Sequence, residues 1–137
     1  MPQVFRAMKK DDDGLPRVEQ SASGLGVRSG VDVDISHQGE LIANRKGMSV
    51  SPDWRTMTIF RVPKRLRAFV SGARGSDNTY CFRSGTGPFR QGAFADGLVL
   101  EPDSPRHGVI APIQAVPLAQ YENDLAATRD GWQVDES

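Results

Sequence analysis

The chain has 137 residues with seventeen Lys/Arg, seventeen Asp/Glu and 38% hydrophobic residues, which sets a single domain over 1–137 as the expectation. Fourteen glycines and nine prolines favour strands and turns over a helix bundle. No stretch approaches the roughly 20 apolar residues of a membrane span, and the lone Cys81 excludes an internal disulfide.

The charge is unevenly distributed. Residues 54–95 hold eight basic residues and one acidic one, Asp77, whereas residues 96–137 hold two basic and eight acidic. A basic middle attracts phosphates or an acidic partner, unless the acidic segments of the same chain cover it. The opening MPQVFRAMKKDDD lacks an apolar run of signal-peptide length, so a cytoplasmic chain is expected.

In chain order, Val4-Phe5-Arg6-Ala7-Met8 predicts a first strand with Arg6 pointing opposite to Phe5. Asp13-Gly14 marks a turn, and residues 15–30 read mostly as loop. Val31 to Ile35 alternates as a half-buried strand does, while Leu41-Ile42-Ala43 is too short to assign. Met48-Ser49-Val50-Ser51 alternates apolar residues with hydroxyls and runs into Pro52-Asp53. Ser51 as cap and Pro52 at the first helical position predict a short helix over 52–61, with a strand over 56–62 as the competing expectation. Leu66 to Val70 and Thr79 to Phe82 read as strands, and Ser84 to Gly92 as a Gly-rich loop carrying Phe89. Leu98 to Glu101 and His107 to Ala111 form two further strands about a Pro/Asp/Ser turn. Leu118, Tyr121, Leu125 and Ala126 share one face of a helix from Pro117 to about Arg129, and residues 133–137 read as a frayed acidic tail. The sum is an α+β fold, since strands and helices do not alternate as a doubly wound sheet requires.

The chain carries no metal-ligand spacing, P-loop, dinucleotide-binding glycine fingerprint or nucleophile elbow. A nucleophile pair of Ser49 or Ser51 with His107 is open on composition alone. The Lys64-Arg65-x-Arg67 cluster reads as a solvated face without the aromatic interleaving of a single-strand nucleic-acid groove, and Cys81 reads as a small buried apolar residue.

Four pieces of the chain resemble the Tse2-like toxin family, a compact branch of the ADP-ribosyltransferase-like fold. They are Val4-Phe5-Arg6-Ala7, Gly47-Met48-Ser49-Val50, His107-Gly108-Val109-Ile110-Ala111-Pro112, and the closing helix with Tyr121, Leu125 and Trp132. The resemblance implies two small β-sheets around a cleft that holds NAD as substrate, with no metal. It implies a phosphate or ribose contact for Arg6, a ribose-lining role for Ser49 and Ser51, and a polar role near the cleft mouth for His107. Arg6, Ser49 and His107 are then the candidate catalytic residues. Tyr80 and Phe89 are the aromatics available to stack on nicotinamide or adenine, with core or loop anchoring as the alternative. The family pattern also has a glutamate, for which Glu101, abutting Pro102 at a strand end, is a poor match.

A bacterial toxin or effector would act on a macromolecule inside a target cell, delivered by a signal-peptide-independent secretion system, and would meet a cognate immunity or antitoxin protein. Glycohydrolysis of NAD stays open beside transfer. So do a non-catalytic interaction protein and an RNA-terminal-phosphate-directed member of the same fold, which the basic middle segment mildly favours.

Overall fold

A computed structural model describes residues 1–42 and 45–137; of the short segment Leu41-Ile42-Ala43, Ala43 lies outside the described residues. The described chain forms seven strands and one α-helix: β1 (Val4–Lys9), β2 (Met48–Val50), β3 (Thr79–Ser84), β4 (Gly92–Ala95), β5 (Leu98–Ser104), β6 (His107–Pro112), α1 (Leu118–Ala126) and β7 (Gln133–Val134). They make two antiparallel sheets, a three-stranded one in the order β1-β3-β7 and a four-stranded one in the order β2-β6-β5-β4. The α+β class and the two small sheets agree with the sequence. No described helix is long and apolar enough to cross a membrane.

A main-chain bridge between Phe5 and Ser51 joins the sheets. Phe5 N–H donates to the Ser51 carbonyl at 2.7 Å, and Ser51 N–H donates to the Phe5 carbonyl at 2.9 Å. β1 is therefore buried on both faces. Val4 and Met8 enter the larger core with Met48, Phe82, Leu100, Ile110 and Trp132. Phe5 enters a smaller core with Trp54, Val62, Leu66, Ala73 and Cys81, the last buried as expected.

α1 closes the larger core by burying Tyr121 and Leu125. The Tyr121 hydroxyl accepts from Met48 N–H at 3.1 Å and donates to the Ile110 carbonyl at 2.5 Å, clamping the start of β2 onto β6. Gly47 lets the chain pass this clamp: a Cβ there would lie 2.2 Å from the Ile110 carbonyl oxygen and 2.8 Å from the Tyr121 hydroxyl. The helix is shorter than predicted, ending at Ala126, and a separate single turn over Arg129–Gly131 follows.

Several expectations are corrected. Residues 31–35 form no strand. Val31 and Asp32 N–H groups both donate to the Arg28 carbonyl, Gly30 adopts a φ of 75°, and the resulting turn leaves Val31 exposed. The helix over 52–61 and the strand over 56–62 are both absent. Asp53, not Ser51, caps a single turn over Trp54–Thr56 by accepting from Arg55 N–H at 2.9 Å. Leu66–Val70 is likewise no strand but a run of tight turns closed at its base by Gly75 N–H donating to the Val62 carbonyl at 2.8 Å.

The tail expected to fray is instead placed against β3. Val134 and Gln133 pair with Phe82 and Arg83, and Asp135 N–H donates to the Cys81 carbonyl at 2.8 Å. The acidic end thereby covers part of the basic middle, with Arg83 on Asp135 at 2.9 Å and Arg65 on Glu136 at 2.5 Å.

Candidate functional site

A cavity of about 530 Å³ opens where the two sheets meet, a size typical of small-ligand pockets. β1 contributes Arg6, β2 and its continuation contribute Ser49 and Ser51, and the β5–β6 turn contributes Arg106 and His107. The turn near residue 30 adds Arg28 and Asp32, and the segment after Trp54 adds Thr58 and Arg61.

The pleat explains the hydroxyl wall. Opposed residues of an antiparallel pair share a face, and side chains alternate along each strand. Met48 faces Ile110 and Val50 faces Gly108, with Met48, Val50 and Ile110 buried in the larger core. Ser49 pairs with Val109, so Ser49, Val109 and His107 take the opposite face, and Ser49, Ser51 and His107 line the cavity. The hydroxyls of Ser49, Ser51 and Thr58 make no hydrogen bond among the described residues.

Arg6 shares its strand face with Val4 and Met8 and is only 7% exposed. Its guanidinium donates to four main-chain carbonyls: Nε to Gly24 at 3.1 Å, Nη1 to Ser49 at 2.9 Å, and Nη2 to Ser21 at 3.2 Å and Gly26 at 3.4 Å. Among the described residues no carboxylate touches it. Burial pulls its pKa down to about 10, partly offset by the field of Asp32, so it remains charged at neutral pH. Arg6 thus supplies positive charge beneath the cavity, with most of its five donors already committed.

Arg28 and Asp32 form a bidentate pair, Nη2 to Oδ1 at 2.9 Å and Nε to Oδ2 at 3.1 Å. Burial opposes ionisation of Asp32, but the Arg28 side chain and main-chain N–H outweigh it and hold the carboxyl below its ordinary range. The side chains of Arg61 and Arg106 make no hydrogen bond or ion pair among the described residues. The lining therefore sets four arginines against one aspartate. Such a surplus in a concave site raises the local concentration of anions.

His107 is held from outside the cavity. Its Nδ1 lies 2.9 Å from both carboxylate oxygens of Asp103, a residue that does not line the cavity.

The candidate residues divide cleanly. Arg6, Ser49, Ser51 and His107 converge on one cavity although up to 101 positions separate them in the chain. Tyr80 and Phe89 do not join them. Tyr80 lies on β3 between the Lys10 ammonium, 4.1 Å from its ring centroid, and the Arg65 guanidinium at 4.7 Å. Phe89 packs on the larger core beside Gly108. Glu101 pairs with Val109, which sets it on the same sheet face as Ser49, yet it lies outside the cavity lining and accepts from Gln91 Nε2 at 3.1 Å.

The sequence reading missed Arg28, Asp32, Arg61, Arg106 and Asp103 as site residues. The first four come from turns whose placement no local pattern encodes. Asp103 meets His107 only because a bulge before the Ser104↔His107 pair turns its side chain, which no local pattern announces. Among the described residues no group of three or more His, Cys, Asp or Glu is placed to hold a metal ion. Comparison of the chain with protein-family models, curated proteins and solved structures gives no match.

Proposed function

We propose that the cavity between the sheets binds NAD as substrate and that the chain is a toxin-type enzyme of ADP-ribosyltransferase architecture, transferring ADP-ribose or hydrolysing NAD. The observation that carries this reading is the convergence of Arg6, Ser49, Ser51 and His107 on one cationic cavity. The donor set suits a dinucleotide. Arg61 and Arg106 offer planar forks to a pyrophosphate, and uncommitted serine and threonine hydroxyls offer donors and acceptors to ribose edges. Bond cleavage at the nicotinamide ribose builds positive charge there, which the hydroxyl dipoles stabilise.

Calorimetric titration of NAD, followed by nicotinamide release with and without cell lysate, tests the reading. Saturable binding is expected, weakened about tenfold by Arg61→Ala, the scale of one charge-assisted hydrogen bond. Release that needs lysate identifies transfer, and release without it identifies hydrolysis. A folded protein that neither binds nor cleaves NAD overturns the proposal.

The arginine surplus also supports a second reading, an RNA terminal phosphate as the ligand. Under that reading, RNA oligonucleotides with a terminal phosphate bind with a steep salt dependence and exclude NAD.

A further inference from the structure

We propose that His107 is the general base of the NAD-directed reaction and that Asp103 is the positioning residue that presents its Nε2 to the cavity. The inference rests on the NAD reading above and extends it to proton transfer.

Among the described residues no glutamate lines the cavity, and the one carboxylate that does, Asp32, is tied to Arg28 at two points. Glu101 stands outside the lining and is engaged by Gln91. Among the described side chains lining the cavity, the imidazole of His107 carries a basic nitrogen lone pair, where the arginines offer donors only.

The hairpin is built to orient it. On β5 the pairing runs from Pro102↔Gly108 to Ser104↔His107, so two steps on β5 match one on β6. Asp103 is the extra residue, a β-bulge, and a bulge re-aims a side chain out of the regular alternation. The re-aimed carboxylate meets Nδ1 at 2.9 Å through both oxygens. A carboxylate accepts only, so it selects the tautomer protonated at Nδ1 and leaves the lone pair on Nε2. Asp103 does not line the cavity while His107 does, so Nδ1 is occupied from β5 and Nε2 is the ring nitrogen left for the cavity.

In the step, Nε2 takes a proton from water or from an acceptor hydroxyl. The oxygen forms its bond to the ribose anomeric carbon, and the carbon–nitrogen bond breaks with its electron pair going to nicotinamide, which leaves neutral. The imidazolium then returns its proton to solvent. The charged groups around the imidazole are Asp103 and Glu101 on β5, Arg106 in the turn, and Arg6, Arg28, Asp32 and Arg61 lining the same cavity.

Two measurements test the proposal, one independent of turnover. Long-range proton–nitrogen correlation spectra read the ring tautomer, and His37 is the single other imidazole to assign. The Nδ1-protonated tautomer is expected for His107, with a shift toward the Nε2-protonated form in Asp103→Asn. An Nε2-protonated ring in the unaltered protein, or no change in the variant, overturns the positioning role.

Nicotinamide release is expected to fall at least about 100-fold in His107→Gln, with Asp103→Asn between tenfold and that loss. His107→Gln should also abolish the acidic limb of the pH profile, while NAD affinity by calorimetry stays within about threefold. Undiminished release in a folded His107→Gln protein that still binds NAD overturns the base role and spares the NAD reading. Absence of NAD binding in the unaltered protein overturns the NAD reading and the base role with it, while the tautomer spectra still decide what Asp103 does.

Discussion

Arg6 carries a charge into the interior without a carboxylate to meet it, and the four carbonyls it binds explain how. Three belong to Ser21, Gly24 and Gly26 and the fourth to Ser49, so one guanidinium fastens the loop over 21–26 to β1 and β2. Burial of a charge is tolerated when its donors are satisfied, and here the backbone satisfies them. Arg6→Ala is therefore expected to strand these carbonyls and cost at least about 3 kcal/mol, the sum of several unpaired buried acceptors. Arg6→Lys should recover little of that, because an ammonium cannot span the fork. Urea denaturation reads both changes, and a loss below about 1 kcal/mol for Arg6→Ala would contradict the role. Loss of activity in Arg6→Ala would thus report folding as much as chemistry, which makes the exposed Arg61 the cleaner probe of the cavity.

At the scale of elements, the strands flanked by strong signals were legible and the turns between them were not. β1, β3, β5, β6 and α1 follow from apolar alternation or helical spacing, because their buried faces are regular. Val31–Ile35 and Leu66–Val70 have the composition of strands but extend no ladder: Val33 and Ile35 make only single bridges, to Ser29 and Leu41, and Gly30 and the Gly75–Val62 pairing bend the chain into turns first. Arg6, Ser49, Ser51 and His107, named through the family resemblance, meet at one cavity because they lie on or beside regular strands, whereas Arg28, Asp32 and Arg61 reach it only through where those irregular turns settle. β7 was illegible because two residues carry no periodicity; its register is set by the Asp135 N–H on Cys81 and by ion pairs to Arg83 and Arg65.

That docking has a measurable consequence. Cys81 is fully buried, and burial pushes its thiol up to about 12, so it should resist thiol reagents at pH 8. Deleting residues 133–137 removes the Glu136 carboxylate from Cys81 N–H and the Asp135 N–H from its carbonyl. Labelling of Cys81 is then expected to accelerate at least about tenfold, as local opening becomes easier; an unchanged rate would show that the tail does not hold this edge. The Ser137 hydroxyl and then the Arg83 guanidinium hold the Asp135 carboxyl below its ordinary range despite its partial burial. A depressed folded value means that this contribution is intact above the unfolded value and is lost only as pH falls through the folded one. The tail should accordingly stay docked at neutral and mildly acidic pH.

At the scale of the whole molecule, the question is whether two cores behave as one. Trp132 belongs to the larger core, 6.0 Å from the Phe94 ring, and Trp54 to the smaller. β1 feeds both, with Phe5 in one and Val4 and Met8 in the other, and Phe5 exchanges two hydrogen bonds with Ser51 at the seam. Opening the smaller core would pull Phe5 from β1, break that pair and dislodge the strand that seats Arg6. Cooperative unfolding is the expected result. The chain has two tryptophans, so Trp54→Phe and Trp132→Phe each leave one reporter. In each variant the fluorescence melt should coincide with that variant's own far-ultraviolet dichroism melt, and a separation beyond about 5 °C would divide the molecule into independent units. Because the cavity is lined from both sides of the seam, ligand binding should raise both transitions together. If NAD is the ligand, as proposed, 100 times its dissociation constant would add about 2.7 kcal/mol to a single cooperative unit, and a midpoint shift seen by one tryptophan alone would place the ligand away from the seam.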